Sequence, residues 1–217
     1  MHNWDYDNAY QRHPIQEGVA IFEDGSALKT HDIFDSLPRF MRSADALFID
    51  PPWTMGNMTS FYTKAGMERP EQEYSTFLRR LFSCIWEIEP FVCYVEMGKD
   101  NLADCISMMR EIFPHVTFYN STYYHRSTNL CYVVRGSQRA KKPRLDGLDE
   151  EDIIKWVCEN EEYSCIGDLC MGRGLVAVNA AKAGRRFVGT ELNHKRLAVA
   201  LEKVYKLGKE YTIKPFF

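Results

Sequence analysis

One short segment, Asp50–Trp53, combines an acid, two prolines and a tryptophan, and these residue types could activate an amino group. The Asp50 carboxylate and the rigidly held Pro51 carbonyl are two acceptors for the two N–H bonds of an exocyclic amine. Binding both draws the nitrogen towards tetrahedral geometry as it attacks a sulfonium methyl group, and stabilises the charge that develops. Trp53 offers a flat surface for a base. The simpler interpretation is a turn that ends a strand, with Trp53 in the core.

A second candidate site is the glycine-rich turn that contains Gly172 and Gly174, between an apolar run and a helical pattern. Glycines allow positive φ and a close approach of ligand to backbone, and the helix behind them has free amide donors. Glu191 ends the next apolar run, 23 residues after Asp168. An acid at about that distance is typical of binding to ribose hydroxyls. The third glycine usual in dinucleotide sites is missing, which favours S-adenosylmethionine, although a purely structural turn remains the alternative.

Both segments directly follow apolar runs, which puts them at the ends of buried strands, where open α/β sheets form ligand sites. A short apolar run covers 19–22, and strands are predicted over 45–50, 90–95, 116–124, 130–134, 163–169 and 186–191. Helices are predicted over 32–41, 71–86, 102–112, 150–158, 174–183 and 195–207. Loops are predicted over 1–18, 54–70 and 136–147, the second long enough for a lid. This alternation predicts a three-layer α/β fold, with a mostly parallel sheet and an antiparallel hairpin, in a single domain over 1–217.

Composition allows a sizeable core, since 45% of the 217 residues are hydrophobic and 13% are aromatic. The formal net charge of -3 does not indicate a nucleic-acid binder, so a surface for DNA would have to be local. One basic segment could supply it, and the residues predicted to contact nucleic acid there are Arg135, Arg139, Lys141 and Arg144. The alternative is a solvated basic loop.

The seven cysteines form no C-x-x-C pair, and most lie inside apolar runs. Small buried thiols in a reducing compartment are therefore expected, rather than disulfides or a metal site. No apolar stretch reaches the length of a membrane span, and the N-terminal residues lack the pattern of a signal peptide. We expect a cytoplasmic protein with no membrane partner.

Taken together, the segments resemble the β-class N6-adenine and N4-cytosine DNA amino-methyltransferases, in which the catalytic tetrapeptide precedes the cofactor glycines. The resemblance covers nearly the whole chain. Further family motifs have counterparts at 22–28 (a G-D-x-L turn), 141–143 (Q-K-P), 168–174 (D-P-F-x-G-S-G) and 184–193 (G-R-x-[FY]-x-G-x-E-x-[ND]). The resemblance implies a Rossmann-like methyltransferase fold with circularly permuted motif order, and S-adenosyl-L-methionine as cofactor.

By this resemblance, the catalytic residues would be Asp50, Pro51, Pro52 and Trp53. The cofactor would be bound by Asp24, Ser26, Lys142, Asp168, Leu169, Cys170, Met171, Gly172, Gly174, Glu191 and Asn193. The chain departs from the family at three places. Leu169 stands where a proline is usual, Arg173 replaces a small residue, and Ser26 stands where an aspartate is expected, unless Asp24 substitutes for it. These departures affect individual cofactor contacts.

An aspartate in the first position and a tryptophan in the fourth favour adenine as the target, since the related N4-cytosine enzymes more often begin with serine. We therefore expect methylation of N6 of adenine in duplex or single-stranded DNA. Only 54–70, 119–129 and 135–144 could read a target, so specificity should be short or lax, or should depend on a second subunit, such as the partner in a homodimer. Alternatives are methylation of RNA adenine or of a protein glutamine, and an inactive subunit that supports another methyltransferase.

Overall fold

The structure is built around one nine-stranded sheet. It is a computed structural model that describes residues 6–215. Its strands are β1 (Val19–Phe22), β2 (Ala27–Thr30), β3 (Ala46–Ile49), β4 (Val92–Met97), β5 (His115–Tyr123), β6 (Arg126–Ser137), β7 (Cys165–Asp168), β8 (Arg186–Glu191) and β9 (Tyr211–Lys214). Their order is β5-β6-β4-β3-β7-β8-β2-β1-β9. The five inner strands, from β4 to β2, are parallel, and antiparallel pairs extend the sheet at both ends.

Helices cover both faces of the sheet. The α-helices of the described residues are α1 (Ala9–Arg12), α2 (Met55–Ala65), α3 (Tyr74–Ile88), α4 (Leu102–Ile112), α5 (Glu150–Asn160), α6 (Leu175–Lys182) and α7 (His194–Tyr205). Short 3-10 turns lie at Tyr6–Asn8, Arg39–Ser43 and Lys99–Asn101. Helices α5, α6 and α7 pack on one face, and α3 and α4 pack on the other. The predicted three-layer α/β fold is confirmed.

The continuous apolar runs at the centre of the chain follow from burial on both faces. In β3, Phe48 packs towards α5–α7, while Leu47 and Ile49 pack towards α3 and α4. Parallel strands that are covered on both faces need apolar residues at every position, so apolar and polar residues do not alternate along them. Between residues 6 and 215, no helix combines the length and apolar character needed to cross a membrane. All seven cysteines are free thiols, and six of them are buried.

The prediction of a structureless loop over 54–70 is wrong, because helix α2 occupies most of it. The Thr54 hydroxyl accepts a hydrogen bond from the Asn57 amide at 3.3 Å and caps the helix, while Gly66, at φ 73°, ends it in the left-handed region. Met58 and Tyr62, four residues apart, are buried on its inner side. Two buried positions are too few to produce a clear apolar period in the sequence.

The helix predicted over 32–41 is also wrong, since this segment is irregular until the 3-10 turn at Arg39–Ser43. The polar groups of this segment form hydrogen bonds other than those of a helix. The Asp32 carboxylate accepts from the Phe34 amide at 3.0 Å, and the Ile33 carbonyl accepts from Arg80 at 2.8 Å. A side chain that bonds locally to the backbone competes with helix formation, and Pro38 would interrupt it further.

Strand β1 occupies the apolar run over 19–22, β2 and β9 were not predicted, and the hairpin differs in detail from the prediction. Both unpredicted strands are four residues long, and β9 is largely exposed, so neither gives a strong apolar signal. The hairpin of β5 and β6 turns at Tyr124 and His125, both at positive φ, instead of through a loop over 125–129. Strand β6 also extends to Ser137, into the segment predicted as a linker.

Candidate active site

A cavity of about 870 Å³ opens at the carboxyl edge of the parallel strands, the edge where β2, β3, β4, β7 and β8 all end. Strand order and register bring four acids there, one from each of four adjacent strands. In the order β4, β3, β7, β8 they are Glu96, Asp50, Asp168 and Glu191, and all four line the cavity. With a strand spacing of about 4.8 Å, the row spans roughly 14 Å. The opposite edge is called the amino edge below.

These acids share one face of the sheet because strand residues alternate in direction. The rings of Phe48 and Tyr94 stack at 5.8 Å on the face covered by α5–α7, and Asp50 and Glu96 follow two residues later on their strands. Helix α5 begins above the end of the row formed by Glu96 and Asp50, and its residue Glu150 also lines the cavity. The site therefore lies between the ends of the strands and the beginnings of helices.

Asp50 is held by its own tetrapeptide. The indole Nε1 of Trp53 donates to the Asp50 carboxylate at 3.2 Å. The Tyr74 hydroxyl donates to the Pro52 carbonyl at 2.9 Å, and the Asn101 amide donates to the Trp53 carbonyl at 2.8 Å. The turn is thus anchored to α3 and to the start of α4, which gives the carboxylate a defined direction at the cavity wall.

The electrostatics of the row favour protonation of Asp50. Enclosure by protein raises the pKa of Asp50 to about 7, and the nearby carboxylates of Glu150 and Glu191 raise it too, while the Trp53 hydrogen bond and Arg196 oppose the rise. The side chain is nevertheless exposed to the cavity. A carboxyl group poised near neutral pH and open to a ligand is typical of a functional site.

Glu191 is fixed by the glycine turn. Its two oxygens accept from the Gly172 amide at 2.7 Å and from the Asn193 amide at 3.0 Å. Burial raises the pKa of Glu191. Each oxygen keeps a second acceptor site, so the carboxylate can also bind hydroxyl groups of a ligand in the cavity. Asn193 caps α7 by accepting from the Lys195 amide at 2.9 Å.

The remaining residues of the glycine turn complete this half of the cavity. Asp168 accepts from the Cys170 amide at 2.9 Å, and burial raises its pKa well above the ordinary value. Gly174 lies behind the lining, at φ 76°, where an added Cβ would come within 2.5 Å of the Ala200 Cβ. Its role is therefore the close packing of α6 against α7.

The structure brings together many, but not all, of the predicted site residues. Those that line the cavity are Asp50, Pro52, Asp168, Leu169, Cys170, Met171, Gly172 and Glu191. Pro51 and Trp53 flank it, and the rings of Trp53 and Tyr123 form a T-shaped pair with 5.4 Å between centroids. Asn193 and Gly174 support the cavity from behind.

Three predicted cofactor residues do not reach the cavity. Ser26 lies at the amino edge, where its hydroxyl accepts from the Phe187 amide at the start of β8. Asp24 forms an ion pair there with Lys209. Lys142 is exposed and is not part of the lining. Asp24, Ser26 and Lys142 are therefore removed from the candidate site, because a strand length separates the two edges of the sheet.

The basic segment also lies away from the cavity. Arg135 is only 3% exposed, and its guanidinium bonds the Glu161 carboxylate at 3.1 Å and the Tyr94 hydroxyl at 2.9 Å, so it is unavailable to a phosphate. Lys141 pairs with Glu161 at 3.3 Å, beyond the end of α5. Helix α5 begins at the cavity and is about 16 Å long, which separates Lys141 from the site. Arg139 pairs with Glu162 at 3.5 Å, and Arg144 is exposed.

Sequence reasoning missed several cavity residues. Asp32 lies two residues beyond the end of β2 and accepts from the Tyr62 hydroxyl at 2.7 Å, and burial lowers the pKa of the neighbouring His31 to about 4. An acid after an apolar run was the available signal, but β2 is short. The other unpredicted lining residues with polar or aromatic side chains include Phe61, Tyr62, Lys64, Glu96, Tyr124, Glu150, Glu151, Arg173, Arg196 and Lys203.

Solved structures of other proteins share this fold. No protein-family model and no curated protein sequence matches the chain. Solved structures do. TTHA0409 of Thermus thermophilus, named as a DNA modification methylase and complexed with S-adenosyl-L-methionine, has a TM-score of 0.60 at 15% identity, over 83% of this chain and 93% of its own.

Two further structures agree with it. The M1.HpyAVI complex with S-adenosyl-L-methionine has a TM-score of 0.57 at 10% identity, over 82% of this chain and 98% of its own. The cytosine-N4-specific PvuII DNA methyltransferase has a TM-score of 0.57 at 11% identity, over 83% of this chain and 90% of its own. This chain has the fold of those methyltransferases. Identities this low establish the fold alone.

Proposed function

We propose that this protein is an S-adenosylmethionine-dependent DNA methyltransferase that transfers a methyl group to an exocyclic amino nitrogen, with N6 of adenine as its target. One observation carries the proposal: Asp50 and the Gly172–Glu191 pair, far apart in sequence, line the same cavity. The methyltransferase fold and the β-class resemblance of the motifs support it. The similar structures include one named as a DNA modification methylase and one named as a cytosine-N4-specific DNA methyltransferase.

The cavity suits the proposed cofactor chemically. Glu191 would hold the ribose hydroxyls with its free acceptor sites, and the turn at Gly172 would lie against the nucleoside. S-adenosylmethionine carries a sulfonium cation and supplies an electrophilic methyl group. Asp50 and Glu191, as carboxylates in the cavity wall, favour a cation, whereas they would repel the pyrophosphate of a dinucleotide. The basic side chains of Arg173, Arg196 and Lys203, which also line the cavity, could face a carboxylate.

Asp50 would act on the substrate. As a carboxylate, it accepts one N–H of the target amine, while the rigid proline carbonyl beside it is the second acceptor. Together they favour the nucleophilic geometry of the nitrogen and stabilise the positive charge that forms there. The Trp53 hydrogen bond keeps Asp50 oriented during this step. A base within a duplex must first be flipped out to enter the cavity.

Adenine is the proposed target because the tetrapeptide begins with aspartate and ends with tryptophan, as in the adenine enzymes that it resembles. A second candidate is N4 of cytosine. The observation that favours it is the structural similarity to the cytosine-N4-specific PvuII enzyme. Both amines lie next to a ring nitrogen, so the same acceptors serve either base.

The decisive experiment supplies methyl-labelled S-adenosylmethionine together with duplex DNA, single-stranded DNA, RNA or cell protein. We expect label in DNA, recovered after digestion as N6-methyladenine. Recovery as N4-methylcytosine would move the proposal to the second target. Label confined to RNA or to a protein glutamine would overturn it, and cofactor binding without any transfer would indicate an inactive partner subunit. The Asp50→Ala protein is the matched control, since it should bind cofactor and transfer nothing.

A further inference from the structure

Glu96, near the end of β4, has no role in the chemistry above. Its side chain is 1% exposed, yet it borders the cavity. Neither carboxyl oxygen forms a hydrogen bond of standard geometry among the described residues, although the Glu150 carboxyl and the Cys131 thiol lie close enough to interact with it. Buried polar groups are nearly always paired, because an unpaired one loses its bonds to water without compensation. A buried acid that faces a cavity unpaired is therefore a candidate for contact with a ligand.

The position of Glu96 indicates which ligand. The row of acids runs Glu96, Asp50, Asp168, Glu191 across adjacent strands. Asp168 and Glu191 belong to the half proposed for the cofactor, and Asp50 faces the reacting amine. Glu96 lies on the other side of Asp50 from that half, so its neighbour in the complex would be the base.

The surroundings of Glu96 favour its neutral form. Burial, followed by the nearby carboxyl groups of Asp50 on β3 and Glu150 on α5, raises the pKa of Glu96 well above its ordinary value. The Cys131 thiol on β6 also faces it and has the smaller, opposing effect. A protonated carboxyl group has one O–H donor, which the ionised form lacks.

We propose that Glu96, as a neutral acid, is a base-recognition residue that donates a hydrogen bond to the ring nitrogen adjacent to the target amine. This rests on the proposed function. In adenine that atom is N1, and in cytosine it is N3. Asp50 would accept from the amine and Glu96 would donate to the ring nitrogen, so the two neighbouring strands read the two adjacent groups of one base edge. Guanine and thymine present a ring N–H there, which would oppose the Glu96 donor.

The test compares methyl transfer to matched DNA containing adenine or 1-deazaadenine, in which a C–H replaces N1. We expect the unmodified protein to prefer adenine by about tenfold or more, the size of one hydrogen bond with a neutral acid. Glu96→Ala should lose most of that preference, and Glu96→Gln, which keeps an N–H donor, should retain it. The intrinsic reactivity of the two amines cancels when the preferences of the proteins are compared.

Two controls isolate the contact. Glu151→Gln removes a cavity acid that does not act on Glu96 and should keep the preference, and calorimetry should find similar cofactor affinity in every variant. Equal transfer to both bases by the unmodified protein, or an undiminished preference in Glu96→Ala, would overturn the role of Glu96 while leaving the proposed function intact. If no DNA base accepts methyl, the proposed function fails first, and this inference with it. Should the product be N4-methylcytosine, 3-deazacytosine is the corresponding probe.

Discussion

At the scale of single residues, Asp50 carries two opposing demands. In the proposed reaction it must be ionised to accept from an amine, yet it lies in a wall of acids and is enclosed by protein, so its pKa rises to about 7. Such a carboxyl group favours binding of a cation beside it, whereas its own ionisation is unfavourable without that cation. Function and folding therefore make contrary demands on this position.

The raised pKa of Asp50 should make the stability of the protein depend on pH. The folded pKa of Asp50, about 7, lies above the ordinary 3.8, so its contribution to the free energy of unfolding is lost as pH rises between those values. Asp50→Asn removes the titration and should stabilise the protein at pH 8 by up to about 1 kcal/mol, a figure discounted for the solvent that reaches this carboxylate. Thermal unfolding at pH 4 and pH 8 measures it. Destabilisation at pH 8 would contradict the prediction.

Activity should show the opposite dependence on pH. Since the carboxylate is the proposed acceptor, kcat/KM should rise about tenfold per pH unit below pH 7 and level off above it. Methyl transfer measured from pH 5 to 9 tests this. A profile that falls through this range would argue that the acid form of Asp50 is the active one.

Glu191 belongs to the half of the cavity proposed for the cofactor, so its substitution should weaken cofactor binding. Glu191→Gln removes one acceptor proposed for the ribose and puts an N–H group against the Gly172 or Asn193 amide. We expect cofactor affinity to fall about tenfold to a hundredfold, since hydrogen bonds to charged groups contribute about 1.5–3 kcal/mol. Calorimetric titration with S-adenosylmethionine measures it. Unchanged affinity would place the nucleoside elsewhere in the cavity.

At the scale of elements, the two glycines of the turn differ in function. Gly172 has open space around its Cβ position, which leaves room for a ligand, whereas Gly174 lets α6 approach α7. The signature thus combines a position that faces the cavity with a position that packs two helices together. Its sequence alone does not distinguish them, because both have positive φ.

Gly174→Ala should destabilise the protein by about 2–4 kcal/mol, because it adds a clash with Ala200 to the strain of a left-handed residue. The matched control is Gly66→Ala. Gly66 also has positive φ, but nothing lies within 4 Å of its Cβ position, so only about 1 kcal/mol is expected. Chemical denaturation of both variants gives the comparison. Equal losses would show that helix packing does not require Gly174.

At the scale of the whole molecule, the site and two residues of the basic segment, Arg139 and Lys141, lie at opposite edges of the sheet. The tip of the β5–β6 hairpin projects past the carboxyl edge of the sheet. It is held by Asp149, the N-cap of α5, which accepts from the His125 amide at 2.8 Å. Tyr124, at the tip, lines the cavity and is 70% exposed. DNA that delivers a base to the cavity would meet this tip.

Tyr124→Ala should therefore weaken binding to duplex DNA by about tenfold or more, the size of one lost aromatic stacking contact. Arg139→Ala, at the amino edge, is the control and should change affinity less than about twofold. Fluorescence anisotropy with a labelled duplex at fixed salt measures both. The reverse result would put DNA on the basic segment, as the sequence alone suggested.

Much of the architecture was predictable from the sequence because its central strands and helices carry strong apolar patterns. The α4 and β8 bounds were predicted to the residue. The misses have local causes: α2 has few buried positions, and β2 and β9 are only four residues long. The segment over 32–41 had enough apolar residues for a helix, but its polar groups bond to other elements.

The sequence by itself determined the kinds of chemical group available: an acid before two prolines, a glycine turn and an acid on the following strand. These are local patterns, and the properties of neighbouring residues are enough to interpret them. Only the tertiary structure decided which groups meet. Strand order placed Glu96 beside Asp50, sent Ser26 to the far edge and buried Arg135 against Glu161. Pairing between distant strands sets these distances, and no pattern within one segment encodes them.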